Sequence, residues 1–434
     1  MMSNENTTAK PLVVIIGGGF GGIQVAKRLK SAPVEVLMLD KHNYHTFQPL
    51  LYQVATGTLE ADSVGFPIRR IFTGQKNFSF RLTEVQKIDA ENNTVITSTG
   101  DIKYDYLVIA TGSNTNFFGN KELESCTMPM KNVPEALNLR SLILQNLETA
   151  NITTDAEERR ALLTFVIVGG GPTGVELSGA LADFRKYILH KDFPKLDNDE
   201  MKVYLIESKP RLIAAMTEQA SAAAKRFLTD MHVHVSNGIR VLGYDGLTLS
   251  INDGTTLKTR NVFWTAGVMG EVPEGIPKEI ISSGYRIETD EFSKVKGFQN
   301  IFAIGDVSSM VTPLAPNGYP GVAPVAVQQG QQLAKNLVRI INGEAVVPFK
   351  YTDKGTMATI GLNKAVADIG KMRFQGFFAW LLWMVVHVMS LAGFTNKAIV
   401  FLNWSIGYFS RNSDNRLIIR FFNIKTMMTE PVAK

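Results

Sequence analysis

Short, almost purely apolar runs recur along the chain, and each ends on glycine or on a carboxylate. Leu12–Ile16 (LVVII) enters Gly17-Gly18-Gly19-Phe20-Gly21-Gly22, and Phe165–Val168 (FVIV) enters Gly169-Gly170-Gly171-Pro172-Thr173-Gly174-Val175-Glu176. Apolar runs of this length bounded by glycines read as buried parallel strands, and the stretch after each turn reads as helix. The next strand in each set, Val34–Asp40 and Lys202–Glu207, closes on an acid. Tyr104–Gly112 (YDYLVIATG) and Asn261–Val268 (NVFWTAGV) repeat a third pattern, a strand ending in a small-residue turn, and Asn300–Asp306 (NIFAIGD) ends on Gly-Asp. Residues 78–95 read as short strands reversing at Glu91-Asn92-Asn93, residues 126–160 as a charged helical segment, and Val322–Leu337 as a helix. The helix begun at Glu176 continues to Arg185, and Lys186–Glu200 reads as a polar, irregular insertion. The pattern predicts an α/β chain built from two related halves.

The C-terminal stretch follows a different rule. Between Arg373 and Arg411 the only formally charged side chain is Lys397, and residues 374–396 carry no charge. As one helix they would extend about 35 Å, enough for a hydrocarbon core of about 30 Å. Gln375, Gly376, His387, Ser390 and Gly393 interrupt the run, and Ala398–Ser410 is too brief to return. Trp380, Trp383 and His387 share one helical face, which suits an interface. Helices lying in a membrane surface are the expectation, with a spanning helix, or a buried subunit contact or core helix, as the alternatives.

Composition narrows the chemistry. At 434 residues, two or three domains are expected. The net charge of +5 forms no basic stripe, so nucleic acid is not an expected partner. Cys126 is the single cysteine, which removes disulfide frameworks, C-x-x-C redox pairs and cysteine-built metal or iron–sulfur sites. Redox work would then run through a bound organic cofactor. His42 and His45 lack a third ligand at useful spacing, so no metal is expected and both read as structural. Met1–Lys10 is polar and too short for a signal peptide, which predicts the cytosol or its face of a membrane.

Gly17, Gly19 and Gly22 match the G-x-G-x-x-G turn that sets a helix N-terminus against a pyrophosphate, and Asp40, 23 residues after Gly17, stands where an acid meets ribose hydroxyls. Gly169, Gly171 and Gly174 repeat the turn, with Glu207 at the equivalent strand end, 38 residues after Gly169 because of the insertion. A carboxylate there favours a free 2′-OH over a 2′-phosphate, although Lys209 and Arg211 stand close by, as phosphate partners or as solvated charges. His42–Ala55, aromatic and amide-rich, reads as a loop folding over a flat ring system. Asp306 arrives without a basic neighbour and would need a hydrogen-bond donor if buried, such as a ribityl hydroxyl. Glu176 is either a functional carboxylate or an early-helix acid favoured by the dipole.

With GGGFGG, HxFxPLLYQVA, GGGPTGVELSG, the TAG turn, AIGD, AxxAxQQG and an apolar C-terminus in this order, the chain resembles the type II NADH dehydrogenases. These are single-chain NADH:quinone oxidoreductases with a disulfide-reductase-like fold but no disulfide. The resemblance implies two Rossmann-like dinucleotide-binding domains and a C-terminal helical membrane-anchoring segment. An FAD domain would span 10–125 and 285–350, an NADH domain 126–284, and the membrane-associating region 351–434. It implies non-covalent FAD on Gly17, Gly19 and Gly22, with Asp40 on its ribose, Lys41 beside it, and Ala110, Thr111, Gly112 and Asp306 lining the flavin. NADH, the substrate, would lie on Gly169, Gly171 and Gly174 with Glu207 on its ribose and Ala266 and Gly267 at the facing turn. Glu176 would stand beside the nicotinamide–flavin stack as a catalytic proton carrier, and Gln328 on the quinone side. Many members read AQxAxQ in that helix; here Pro324 replaces the first glutamine, so a two-glutamine quinone site does not transfer. The partners implied are a membrane quinone, a second copy in a homodimer, and the cytoplasmic face of the inner (plasma) membrane, without proton pumping. A soluble reductase serving a small iron–sulfur protein and a flavin-binding membrane scaffold are the alternative readings. Sulfide oxidation would need cysteines the chain lacks.

Overall fold

Leu12–Ile16 forms strand β1, and helix α1 (Phe20–Arg28) leaves the glycine turn that follows it. Strand β2 (Glu35–Asp40) pairs parallel with β1 in the register Val14↔Leu37. The chain then contributes helix α2 (Leu51–Ala55) to a second unit before returning for β3 (Phe78–Leu82) and β4 (Tyr106–Ile109), both parallel in the same sheet. Alternate residues of β1 feed two cores. Val13 and Ile15 join Val25 and Leu29 of α1, while Val14 and Ile16 join Ile102 and Ile287. Burial on both faces explains why this strand is apolar throughout. The computed structural model describes residues 10–412 and 415–418; the reading of the first nine residues, and the rest of the 351–434 region, lie outside the described residues.

The second unit repeats the plan. Strand β5 (Met128–Pro129) precedes helix α3 (Val133–Ile152), then come β6 (Thr164–Val168), helix α4 (Pro172–Phe184), β7 (Lys202–Glu207), β8 (Val233–Asn237) and β9 (Asn261–Trp264). Its five strands are parallel in the order β5-β9-β6-β7-β8. After β9 the chain returns to the first unit, where β10 (Ile301–Ala303) completes the order β10-β4-β1-β2-β3 and helix α5 (Ala323–Ile341) covers α1. By internal contacts the first unit takes the chain up to His45, Phe66–Asn114 and Val268–Asp353; the second takes Thr46–Gly65, Thr115–Gly267 and the chain from Lys354.

Three segments differ from the sequence expectations. His42–Ala55 is no ring-covering loop over its second half: Gln48–Leu50 and α2 are helical turns, and Leu50 through Ala55 are buried. Lys186–Glu200 does not begin as irregular chain, because α4 runs on through a π-helical turn at Arg185–Leu189. Arg185 holds that turn by donating to the carbonyls of Met201 and Met231 at 3.1 and 2.6 Å. The region after 351 opens with an antiparallel sheet, β11 (Thr356–Gly361), β12 (Lys364–Ile369) and β13 (Met372–Gln375), so it is not helical from its start. Its apolar stretch is two helices, α6 (Phe377–Ser390) and α7 (Phe394–Ser410), separated by Gly393 at φ 77°. At 14 and 17 residues each falls short of a bilayer core. Among the described residues, no helix is long and apolar enough to cross a membrane.

Candidate cofactor and substrate sites

The two glycine turns have one geometry. Gly17 and Gly169 sit at φ 105° and 113°, a backbone that side chains rarely adopt. A Cβ on Gly17 would strike the Ala110 carbonyl, and one on Gly169 would strike the Ala266 backbone. Gly22 packs on the Gly17 carbonyl and Gly174 on the Gly169 carbonyl so closely that neither admits a side chain. Gly19 and Gly171, in contrast, face open space. They are also the N-caps of α1 and α4, and no side chain caps either helix. Uncapped N–H groups beside a space cleared of Cβ atoms fit a dinucleotide pyrophosphate at both turns, FAD included.

The acids at the strand ends brace these turns. Asp40 accepts from the amides of Gly18 (2.6 Å) and His42 (2.7 Å). Glu207 accepts from the amides of Gly170 (2.6 Å) and Lys209 (2.6 Å), and from Ser208 Oγ at 3.2 Å. Each carboxylate thus ties the middle glycine to the amide two residues beyond itself. Lone pairs on the same oxygens remain for a ribose hydroxyl. Arg211, by contrast, gives its guanidinium to the carbonyls of Met216 and Ala214 at 2.7 and 2.8 Å.

Around the first turn, Ala110 donates its amide to Ile16 O, Thr111 Oγ1 donates to Glu271 O, and Gly112 sits at φ 77° and accepts from the Glu271 amide. Lys41 Nζ is paired with Glu271 Oε1 at 2.7 Å. Asp306 lies in the 3₁₀ turn Gly305–Val307; Ser113 Oγ donates to its Oδ2 at 2.7 Å, and Arg286 Nε donates to its backbone carbonyl at 3.1 Å. The chain therefore supplies both a donor and a basic neighbour that the sequence reading of Asp306 omits. Beside the second turn, Ala266 abuts Gly169, and Gly267 sits at φ 81°. Gln328 is engaged at both ends of its amide: the nitrogen donates to Thr352 O and the oxygen accepts from Thr352 N, both at 3.0 Å. The buried glutamine is Gln329, whose Oε1 accepts from the Gly305 amide at 2.7 Å. Pro324 lies in the first turn of α5, where a missing N–H breaks no helix bond.

Glu176 lines a cavity of about 170 Å³ enclosed by α2, α4, β11, α6 and α7 of the second unit. Burial pushes its carboxyl well above the ordinary range, against a hydrogen bond from the Thr359 backbone that pulls the other way. Two turns further along α4, Asp183 lines the same cavity; burial raises it to about 6 even though the Leu362 amide donates to it at 2.8 Å. Opposite stands a relay of polar groups from α2 and α7. Trp404 Nε1 donates to Gln53 Oε1 at 2.7 Å, and Gln53 Nε2 donates to Tyr52 Oη at 2.7 Å. Burial, with the nearby Glu176 adding to it, raises the Tyr52 hydroxyl further above its usual value. Trp383 of α6 stacks on His387 with ring centroids 4.1 Å apart.

The pyridine nucleotide-disulphide oxidoreductase family model matches residues 11–330, and the NDH2 C-terminal domain model matches residues 354–412. The type II NADH:quinone oxidoreductase NdhA of Mycobacterium tuberculosis is 36% identical over 416 residues, covering 92% of this chain and 87% of that protein. The chain belongs to the type II NADH:quinone oxidoreductase family. A second member of the family from the same organism, Ndh, is 34% identical over 430 residues, covering 94% of this chain and 91% of its own. The structure of NDH2 from Plasmodium falciparum in complex with NADH has the same fold, with a TM-score of 0.85 at 21% identity over 95% of this chain and 100% of that one.

Within this family frame, the structure brings Gly17, Gly19, Gly22, Asp40, Lys41, Ala110, Thr111, Gly112 and Asp306 into the first unit, together with Gln328. Gly169, Gly171, Gly174, Glu207, Ala266, Gly267 and Glu176 belong to the second. Sequence reasoning does not find Tyr52, Gln53, Asp183, Thr359 or the cavity-lining role of Trp383. The spacing of Glu176 and Asp183 on one helix is the only local sign of two acids on one face.

Proposed function

We propose that the chain oxidises NADH through FAD held at the first turn and passes the electron pair to a quinone at a membrane surface, without pumping protons. The carrying observation is the pair of identically built, uncapped glycine turns, each braced by an acid, in a chain with one cysteine. Two nucleotide seats without a thiol pair suit a reaction in which one nucleotide reduces another that stays bound. FAD supplies hydride acceptance and stepwise release of two electrons when bound.

The side chains divide the remaining work. The amides beyond Gly19 and Gly171 hold the pyrophosphates, and Asp40 and Glu207 accept from ribose hydroxyls. Glu207 is already braced by three donors and Arg211 is spent on carbonyls, so the second seat favours a free 2′-OH, that is NADH over NADPH. Asp306, aligned by Ser113, serves the flavin-binding unit as an acceptor. Burial disfavours the charge on Glu176 and favours its protonated form, which suits it to hold and deliver a proton. Gln328 braces the loop at Thr352 through both ends of its amide.

The faces of α6 and α7 turned away from the cavity carry Phe378, Met389, Phe394 and Phe409 at 65–86% exposure, an apolar surface unlike that of a soluble monomer. Helices too short to span, with this surface and no acid among them, support a monotopic seat on a membrane, whose cytoplasmic face is part of the proposal. The test is anaerobic mixing of the FAD-loaded protein with NADH or NADPH, followed by a quinone in liposomes. Rapid bleaching by NADH, slower bleaching by NADPH and recovery of colour on quinone are the expected results. Absence of bleaching by NADH, or bleaching without recovery on any quinone, overturns the proposal.

A further inference from the structure

The cavity in the second unit holds a buried donor with nothing to donate to. Trp383 is 2% exposed, lines the cavity, and has no hydrogen-bond partner for Nε1. Its counterpart Trp404 is satisfied by Gln53, and Gln53 in turn by Tyr52. Glu176 and Asp183 accept from the backbone of Thr359 and Leu362. An indole N–H buried without an acceptor is disfavoured, and native proteins rarely keep one. The ring cannot swing freely to find a partner, since His387 stacks on one face and Trp404 lies tilted against it with centroids 5.5 Å apart. His387 Nδ1 is itself 2.7 Å from the Trp383 carbonyl, which fixes the stack.

The surroundings specify what the missing acceptor must be. The cavity offers far more room than the roughly 15 Å³ that holds a single water. Arg411 also lines the cavity and has a buried Nη1 without a partner, so an indole and a guanidinium donor stand there with two carboxyls, and a strongly hydrated ligand would have to shed water among Tyr52, Trp380, Met384 and Trp404. A neutral, flat molecule with carbonyl acceptors meets every condition. The helices that wall the cavity are those whose outer faces are apolar and exposed, so such a molecule and the bilayer share the same two elements.

Building on the quinone-reductase reading above, we infer that Trp383 Nε1 donates the hydrogen bond that seats one carbonyl oxygen of the quinone headgroup in this cavity. Trp383→Phe keeps the stacking ring and removes the donor. With a short-chain ubiquinone analogue, the variant raises the quinone KM about ten-fold, while kcat at saturation changes less than two-fold. FAD content and the rate of flavin bleaching by NADH stay those of the wild type. A second readout needs no turnover: in the oxidised wild-type protein labelled with ¹⁵N at its four tryptophans, adding the quinone analogue moves one indole N–H resonance downfield, and that resonance is the one missing from the variant. An unchanged quinone KM in a folded, FAD-replete variant overturns the inference and leaves the quinone-reductase reading standing. If the variant does not fold, the wild-type spectrum decides, because no indole shift on quinone addition also overturns it. Failure of the wild type to reduce any quinone sinks the functional reading instead.

Discussion

The first and second glycine turns are near copies, yet the helices that leave them are covered by different things. α1 lies under α5, where Gly330 fits against the Gly21 carbonyl and Gln331 donates to Gln24 at 3.2 Å. α4 lies under β11, where Gly179 leaves room for the Ile360 carbonyl. Gln24 and Glu176 hold the same place, two residues past the last glycine of their motifs. Under another helix that place is a neutral amide paired with an amide. Under a strand whose backbone can donate, it is a carboxyl pushed toward its neutral form beside a cavity. Duplication supplies two nucleotide seats. What each helix packs against decides whether its first turns also hold a proton.

The comparison breaks most sharply at the glycines. Gly22→Ala and Gly174→Ala each drive a Cβ into a carbonyl, so both damage their own turn and spare the other. Gly22→Ala is expected to yield protein nearly free of FAD, read from flavin absorbance per chain. Gly174→Ala keeps FAD but raises the NADH KM by more than about ten-fold. Equal FAD loss in the two variants would mean that the turns do not serve separate nucleotides.

Next in size is the proton at Glu176. Glu176→Gln is expected to lower quinone-dependent turnover about 10²-fold with FAD content unchanged. Its effect on stability has a defined sign. An acid whose folded pKa is raised contributes stability that is fully present below the ordinary carboxylate value and is lost as pH rises through the raised one. The Gln variant cannot ionise, so its Tm relative to wild type should climb as pH rises above the ordinary carboxylate range. A constant Tm difference across that range contradicts a buried, neutral Glu176.

The smallest effect sharpens the contrast. Gln24→Glu places the second helix's acid under the first helix's cover, where Gln331 offers an amide in place of a strand backbone. A loss of about 1 kcal/mol at neutral pH, measured by urea unfolding, is expected, shrinking toward pH 4 as the new carboxyl protonates. No loss would show that the cover is immaterial.

Much of this was readable from the chain because the relevant signals are local. A strand, a glycine turn and an acid at the next strand end occupy a few dozen residues, so Asp40 could be named from its spacing and Glu207 from its place at the end of the second strand. The cavity could not, because its walls come from residues 52–58, 176–188, 359–362 and 380–412, and only folding brings Tyr52 and Trp404 to Glu176. The C-terminal sheet was hidden by the long uncharged run behind it. The pair TMATIG and KAVADI around Leu362-Asn363, with Asn363 at φ 61°, was the available hairpin signal. The break in the apolar run rests on Gly393, whose positive φ stops one helix from absorbing the other, while Gly376 at φ 74° starts the first of them.

The way the chain threads between its units also sets an order of birth. β4 has one edge bare until Ile301–Ala303 emerge from the ribosome, because β10 closes the first sheet only after the whole second sheet has been made. The second unit waits longer still, since β11 and both apolar helices belong to it and come last. A nascent chain therefore carries an incomplete first sheet through most of its synthesis, with an exposed strand edge that invites wrong pairing. The segments that finish the second unit are the ones drawn to lipid, so completion of the fold and arrival at the membrane become neighbouring events in the life of each molecule.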